Sequence, residues 1–196
     1  MALRNAVMAA LLEGEASGYD LAKGFEASVA NFWMATPQQL YRELERMEGE
    51  GLVSARVVQQ ERRPNKRLFS LTDAGLEVLR DYVGEALAKP PALRDELMVK
   101  VQCVDIGDVG DFEAVRASVA ERFERATAKL ARYLRMQERM LDGRTEDEYL
   151  ATAERVGPYL TLLGGIALER ANLQWSETAL KRLEQRAAAL AESSGG

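Results

Sequence analysis

The first apolar stripe of the chain is Leu3, Ala6, Val7, Ala10 and Leu11, spaced as one face of an amphipathic helix. Gly14 ends it. Ser17 stands three residues before Asp20, an S-x-x-D box that opens a second helix with Leu21, Phe25 and Val29 on its apolar side. The third helix has the sharpest start: Thr36 at the N-cap, Pro37 at the first helical position and Gln39 at the capping-box position. Leu40, Leu44 and Met47 mark its inner side. At about 100° per residue, Gln38, Arg42, Glu45 and Arg46 fall opposite, with Gln39 and Tyr41 on the flanks. Gly49 and Gly51 stop it.

The period then changes. Residues 52–60 are β-branched and partly alternating, residues 61–66 form a basic turn, and residues 67–71 return as a second strand. Thr72 caps a fourth helix, Asp73 favours its positive end, and Leu76, Leu79, Val83 and Leu87 form its stripe. Beyond Pro90 and Pro91 everything reads as helix. Leu93, Leu97, Val101 and Val104 continue one face, and residues 105–111 read as a Gly/Asp loop. Val119, Phe123, Ala126, Leu130, Tyr133, Gln137 and Met140 then alternate at steps of four and three, a heptad-like seam. Asp142 and Gly143 break it, and Thr145 with Glu148 forms a second capping box. A last helical tract reaches about Ala191, interrupted at Gly157-Pro158, with Leu173, Leu180, Leu183, Ala187 and Leu190 on one stripe.

The pattern predicts a mainly α protein. Residues 1–89 read as a winged helix-turn-helix with a two-stranded wing, residues 90–192 as an all-helical dimerisation domain, and residues 193–196 as a flexible tail. A composition of 47% hydrophobic and 29% charged residues supplies a real core. No apolar run approaches the roughly 18 residues of a membrane span and no secretory leader opens the chain, so a cytoplasmic protein is expected. The single cysteine, Cys103, cannot form an internal disulfide, which suits a reducing compartment. Its place between Val101 and Val104 predicts a buried, inert thiol.

Histidine is absent, which removes the usual general base, metal ligand and triad partner. A metal site would need carboxylates and one thiol, and Glu146-Asp147-Glu148 reads as the acidic first turn of a capped helix. The segment Gly107-Asp108-Val109-Gly110 lacks the Lys-Ser/Thr of a phosphate loop. An enzyme, a metal and a cofactor are therefore not expected.

A net charge of −5 excludes a bulk polycation, but the charge is uneven. Between Ser54 and Arg67 lie five basic residues (Arg56, Arg62, Arg63, Lys66, Arg67) against the single acid Glu61. Such local clusters decide where a phosphate backbone can sit. A helix fits the major groove, and the N-terminal part of the third helix offers Thr36, Gln38, Gln39, Tyr41 and Arg42. Gln can bond adenine and Arg guanine through paired hydrogen bonds, whereas Tyr and Thr hydroxyls suit phosphates. The wing adds Arg62, Arg63, Asn65 and Lys66, and the start of the second helix, with Ser17 and Tyr19, is a phosphate seat. Taken singly, each of these is an ordinary solvated residue, or a charge that keeps a hairpin edge soluble. Their coincidence favours double-stranded DNA as the partner, with a protein-binding winged helix as the alternative.

Three linked motifs resemble one family. They are Gly18-Tyr19-Asp20-Leu21, the run from Gln39-Leu40-Tyr41-Arg42-Glu43-Leu44 to Gly51-Leu52-Val53, and the run from Arg63-Pro64-Asn65-Lys66-Arg67 to Thr72-Asp73-Ala74-Gly75. Together they look like the signature of PadR-like transcriptional regulators. The second half, through Pro158-Tyr159-Leu160, Gly165-Ile166-Ala167 and Ala171-Asn172-Leu173-Gln174-Trp175, is similar to the C-terminal domain of the virulence-activator-type branch.

The resemblance implies a homodimer that presents two winged helices to a pseudo-palindromic operator, most often as a repressor, in some members released by a small aromatic or cationic effector. The residues agree on a helical seam through Val119, Phe123, Leu130, Tyr133, Leu173, Leu180, Leu183 and Leu190, which can serve a dimer or an intramolecular bundle. Half-sites on one face of the duplex would lie about 34–36 Å apart. Met136, Met140, Tyr159 and Trp175 are candidates for an effector pocket, and equally for plain core.

Overall fold

Apolar residues three and four apart are buried on each N-terminal helix, and they set how those helices meet. The computed structural model describes residues 2–25, 35–59, 65–86, 94–106 and 109–194 and divides into two units, Met1–Pro90 and Pro91–Gly196. In the first, α1 (Ala2–Leu11), α2 (Gly18–Phe25), α3 (Pro37–Gly49) and α4 (Asp73–Gly84) surround a small antiparallel sheet. Val7, Met8, Leu40, Leu44, Met47 and Val53 are almost fully buried at its centre.

The hairpin strands are β2 (Val53–Val58) and β3 (Lys66–Leu71), paired from Val53 opposite Leu71 to Val58 opposite Lys66. A third strand that the sequence reading lacks, β1 (Ala16–Ser17), pairs with the other edge of β3, Ala16 opposite Phe69. It joins the start of α2 to the base of the wing.

One junction locks α3, β2 and α4 together. Gly51 turns the chain at φ 74°, a conformation glycine adopts without strain. The Thr72 hydroxyl donates to the Gly51 carbonyl at 2.7 Å and accepts from the Gly75 amide at 3.1 Å. The Thr72 amide donates to the Leu52 carbonyl, also at 3.1 Å. Gly75 lies so close to that carbonyl that a β-carbon there would stand 2.1 Å from its oxygen. Farther along α4 the expected stripe ends early: Leu79 is buried, but Val83 is 77% exposed because the helix has run past the body it packs on. Phe25 (its side chain), Val29, Leu87 and Leu93, also placed on apolar faces from the sequence, lie outside the described residues.

The second unit is built on α6 (Val109–Leu141) and α8 (Gly157–Ser194), with α5 (Glu96–Gln102) and α7 (Glu146–Thr152) as shorter elements. The loop expected over 105–111 is shorter than that, since Val104–Ile106 is a 3-10 turn and α6 begins at Val109. Gly157-Pro158 starts α8 instead of interrupting it, where proline's missing N–H costs nothing. That helix continues to Ser194, three residues beyond the expected end and into the expected tail. Cys103 is exposed, against expectation, because α5 ends at Gln102 and the thiol falls on the cap. Among the described residues no helix is long and apolar enough to cross a membrane.

Asp95 ties α5 to α6. Its carboxylate accepts from the Leu97 and Met98 amides as the N-cap and takes the Arg122 guanidinium on both oxygens, at 2.6 and 2.7 Å. Arg122 in turn lies 5.4 Å above the Trp175 ring of α8. The Arg122 partnership, against some opposition from burial, holds the Asp95 carboxyl below its ordinary value. A depressed carboxylate stabilises the fold above its unfolded pKa, and that contribution is lost as pH falls through the folded value. Asp95→Asn is therefore expected to cost about 1 kcal/mol at neutral pH. Urea midpoints of the two chains should converge below pH 4, and a gap that does not narrow there would remove the linkage.

Candidate nucleic-acid interface

The N-terminus of α3 is fixed by reciprocal bonds. The Thr36 hydroxyl accepts from the Gln39 amide at 3.2 Å, and the Gln39 side-chain oxygen accepts from the Thr36 amide at 2.8 Å. Thr36 and Gln39, both read from the sequence as DNA contacts, thus spend these groups on the cap. Leu40, Leu44 and Met47 bury the inner face. Gln38 and Arg42 stand exposed on the outer face, and neither has a side-chain partner among the described residues.

Tyr41 is half-exposed and lies over the first turn of α2. A β-carbon on Gly18 would come within 2.3 Å of its ring, so this approach requires glycine. Tyr19, next in the chain, is 67% exposed and free to meet a ligand.

Ser17 is covered. It is 6% exposed, its hydroxyl accepts from the Asp20 amide at 3.0 Å, and it donates to the Asp20 carboxylate at 2.9 Å. The box read from the sequence is present, and it spends the Ser17 hydroxyl on Asp20. The Asp20 carboxylate itself reaches Lys66 of β3 at 2.7 Å. Lys66 first, and then Ser17, hold the Asp20 carboxyl below its ordinary value.

The other described cations of the hairpin are paired too. Arg56 of β2 takes Glu15 in a forked pair that lowers the acid and raises the base. Arg67 of β3 pairs with Glu48 of α3 while its guanidinium lies 5.2 Å from the Phe69 ring centre. Arg62 and Arg63 lie outside the described residues, and Asn65 is exposed. The cationic hairpin is therefore balanced on the described side by Glu15, Asp20 and Glu48. The sequence reading missed these acids as partners. For Glu15 and Asp20 the signal would have been the β1–β3 pairing, which brings residues 15–20 beside the wing, whereas Glu48 reaches Arg67 from α3.

Tyr19, Tyr41, Glu45, Asn65 and Lys66 share one open cleft of about 740 Å³ between the start of α2, α3 and the base of the wing. Its chemistry is mixed: phenols, an amide, two carboxylates (Asp20 and Glu45) and two cations (Lys66 and Arg67), with aromatic floor from Phe69. That combination suits hydrogen bonding to a polar, charged surface.

In the second unit, the seam residues divide. Val119, Tyr133 and Leu183 are buried within the chain itself, Phe123, Leu130, Leu173 and Leu180 are partly covered, and Leu190 is 44% exposed. The four effector candidates do not converge. Trp175 packs on the Phe112–Val119–Leu183 cluster, whereas Met136 and Met140 pack on the Tyr133–Leu162–Ile166 cluster. Tyr159 is fully buried against Tyr149, ring centres 4.9 Å apart, and its hydroxyl accepts from Gln137 at 3.0 Å.

Two family models match the chain: the transcriptional regulator PadR-like family over residues 7–81 and the virulence activator alpha C-terminal domain over residues 93–184. The chain is 32% identical to the probable transcriptional regulator Rv1176c of Mycobacterium tuberculosis (strain ATCC 25618 / H37Rv), covering 95% of this chain and 100% of that one. It is 25% identical to the negative transcriptional regulator PadR of Bacillus subtilis (strain 168), over 93% of this chain and 98% of that one. Bacillus subtilis PadR in complex with operator DNA superposes with a TM-score of 0.69 at 25% identity, covering 93% and 99% of the two chains. The Vibrio cholerae virulence activator AphA superposes with a TM-score of 0.64 at 27% identity, covering 94% and 99%.

Proposed function

Because the chain belongs to the PadR-like family of transcriptional regulators, we propose that it is a homodimeric, cytoplasmic repressor that reads a pseudo-palindromic DNA operator. The observation that carries this reading is α3. It is capped at its start, anchored through Leu40, Leu44 and Met47, and presents Gln38 and Arg42 exposed and without a partner among the described residues. Those are the residue types that hydrogen-bond adenine and guanine edges in the major groove. Tyr19, Tyr41, Asn65 and Lys66, around the adjoining cleft, hold sugar–phosphate on either side. Negative control follows the negative regulator that the chain resembles.

The dimer is formed by a second copy covering the apolar residues that α8 leaves at the surface, Leu160, Leu168 and Leu190. Val119, Tyr133 and Leu183 support that face from beneath. An effector would not be held by the four candidates together, since Trp175 packs on one core and Met136 and Met140 on another.

A second reading, a winged-helix module that binds protein without reading DNA, draws on the pairing of Arg56, Lys66 and Arg67 with acids. One experiment separates the two. Fluorescence anisotropy of the full chain is measured against the duplex upstream of its own gene, a scrambled duplex and a duplex selected from random DNA, across a salt series. Preference for one sequence at near-physiological salt, with two half-sites filling cooperatively, is expected. Equal binding to all duplexes that vanishes with modest salt would discard the operator reading.

A further inference from the structure

The outer face of α3 carries a carboxylate that the operator reading does not use. Four acids lie on or directly after this helix. Glu43 meets Arg4 and Arg46, Glu48 meets Arg67, and Glu50 meets Arg4 and Arg46. Glu45 alone of the four has no cation among the described residues, although Arg42 lies three positions away, at pairing distance on a helix. It is exposed, and it opens into the same cleft as Tyr19, Asn65 and Lys66.

An unpaired carboxylate on a face that meets DNA is repelled by phosphate, so it weakens every complex except one that gives it a donor. In the major groove, guanine and thymine present acceptors at the position in question, O6 and O4. Adenine sets its amine beside the N7 acceptor, whereas cytosine offers an N4 amine alone. On the wheel of α3, Glu45 falls within about 20° of Gln38 after two full turns. The rise between them, about 10.5 Å, corresponds to about three base steps of 3.4 Å. The geometry points to Glu45 as a specificity-determining residue that accepts a hydrogen bond from one cytosine amine in each half-site and disfavours every other base there. This assignment rests on the operator reading and adds a single base position to it.

The test uses the full-length chain and its selected operator, with every half-site position changed in turn to the other three bases. The wild-type chain should prefer cytosine at one position by about tenfold. In Glu45→Gln that preference should fall to threefold or less, while preferences at the positions read by Gln38 and Arg42 persist. Since Glu45 is exposed and has no partner among the described residues, the variant should melt with the parent. If Glu45→Gln tightens all duplexes by one common factor, the residue only repels phosphate and the assignment is overturned. An unchanged base profile places Glu45 off the bases and overturns it as well. If the wild-type chain prefers no duplex at all, the operator reading itself falls, and the assignment with it.

Discussion

Replacing Gly75 with alanine is expected to destabilise the N-terminal unit by about 2–3 kcal/mol, at the upper end of what overpacking costs. The new methyl would arrive 2.1 Å from the Leu52 carbonyl oxygen, and that obstacle is backbone, not the end of a flexible side chain. Relief requires α4 to move away from β2. Moving it stretches the Thr72 amide bond to Leu52 and the Thr72 hydroxyl bond to Gly51. Urea unfolding of the full chain, with hydrogen exchange at the β2–β3 amides, should register the loss there and leave the α6–α8 amides unchanged. A midpoint equal to the parent's would show that the junction yields cheaply and carries little of the fold.

Arg42→Ala and Lys66→Ala should separate base reading from backbone holding. Arg42 has no partner to lose among the described residues, so its removal is expected to cost about 1–3 kcal/mol on the operator and little on scrambled DNA. Lys66 differs because it enters the complex already paired with Asp20. On the proposed reading, truncating it removes a phosphate contact and also leaves the Asp20 carboxylate with the Ser17 hydroxyl but without its cation on the same surface. Lys66→Ala should therefore weaken all duplexes alike and reduce the salt slope by about one. Anisotropy on both duplexes across a salt series measures each effect. Equal, small losses from both variants would refute this division of labour.

Local chemistry was legible in the sequence and distant pairing was not. The capping boxes at Thr36–Gln39 and Thr145–Glu148 form as read, since cap, amide and partner all lie within four residues. The heptad-like steps from Val119 to Met140 marked a buried seam. Periodicity cannot say whose helix covers a seam, and here α8 of the same chain buries Val119 and Tyr133. The strand β1 is two residues long, too short to show an alternation. That short strand sets the neighbours of the wing. Glu15 and Arg56 meet across 41 positions, so the hairpin's charge looked free from the sequence and is paired at Arg56, Lys66 and Arg67 among the described residues. At Cys103 the helix ends one residue too soon, and at Val83 the helix continues but the side chain stands exposed. Ser17 was read as a cap and forms one, and its hydroxyl, 6% exposed, is spent on Asp20.

The two ends of α3 are fastened independently, by the Thr36–Gln39 box at one and by the Gly51–Thr72 clasp at the other. A helix held in this way has little conformational freedom left to lose when it meets a duplex. Association would then be the docking of a preformed edge and not a coil-to-helix transition. The heat capacity of binding would report the apolar area covered, without the large added term of coupled folding. Operator variants would differ chiefly in how long the complex lasts and less in how fast it forms.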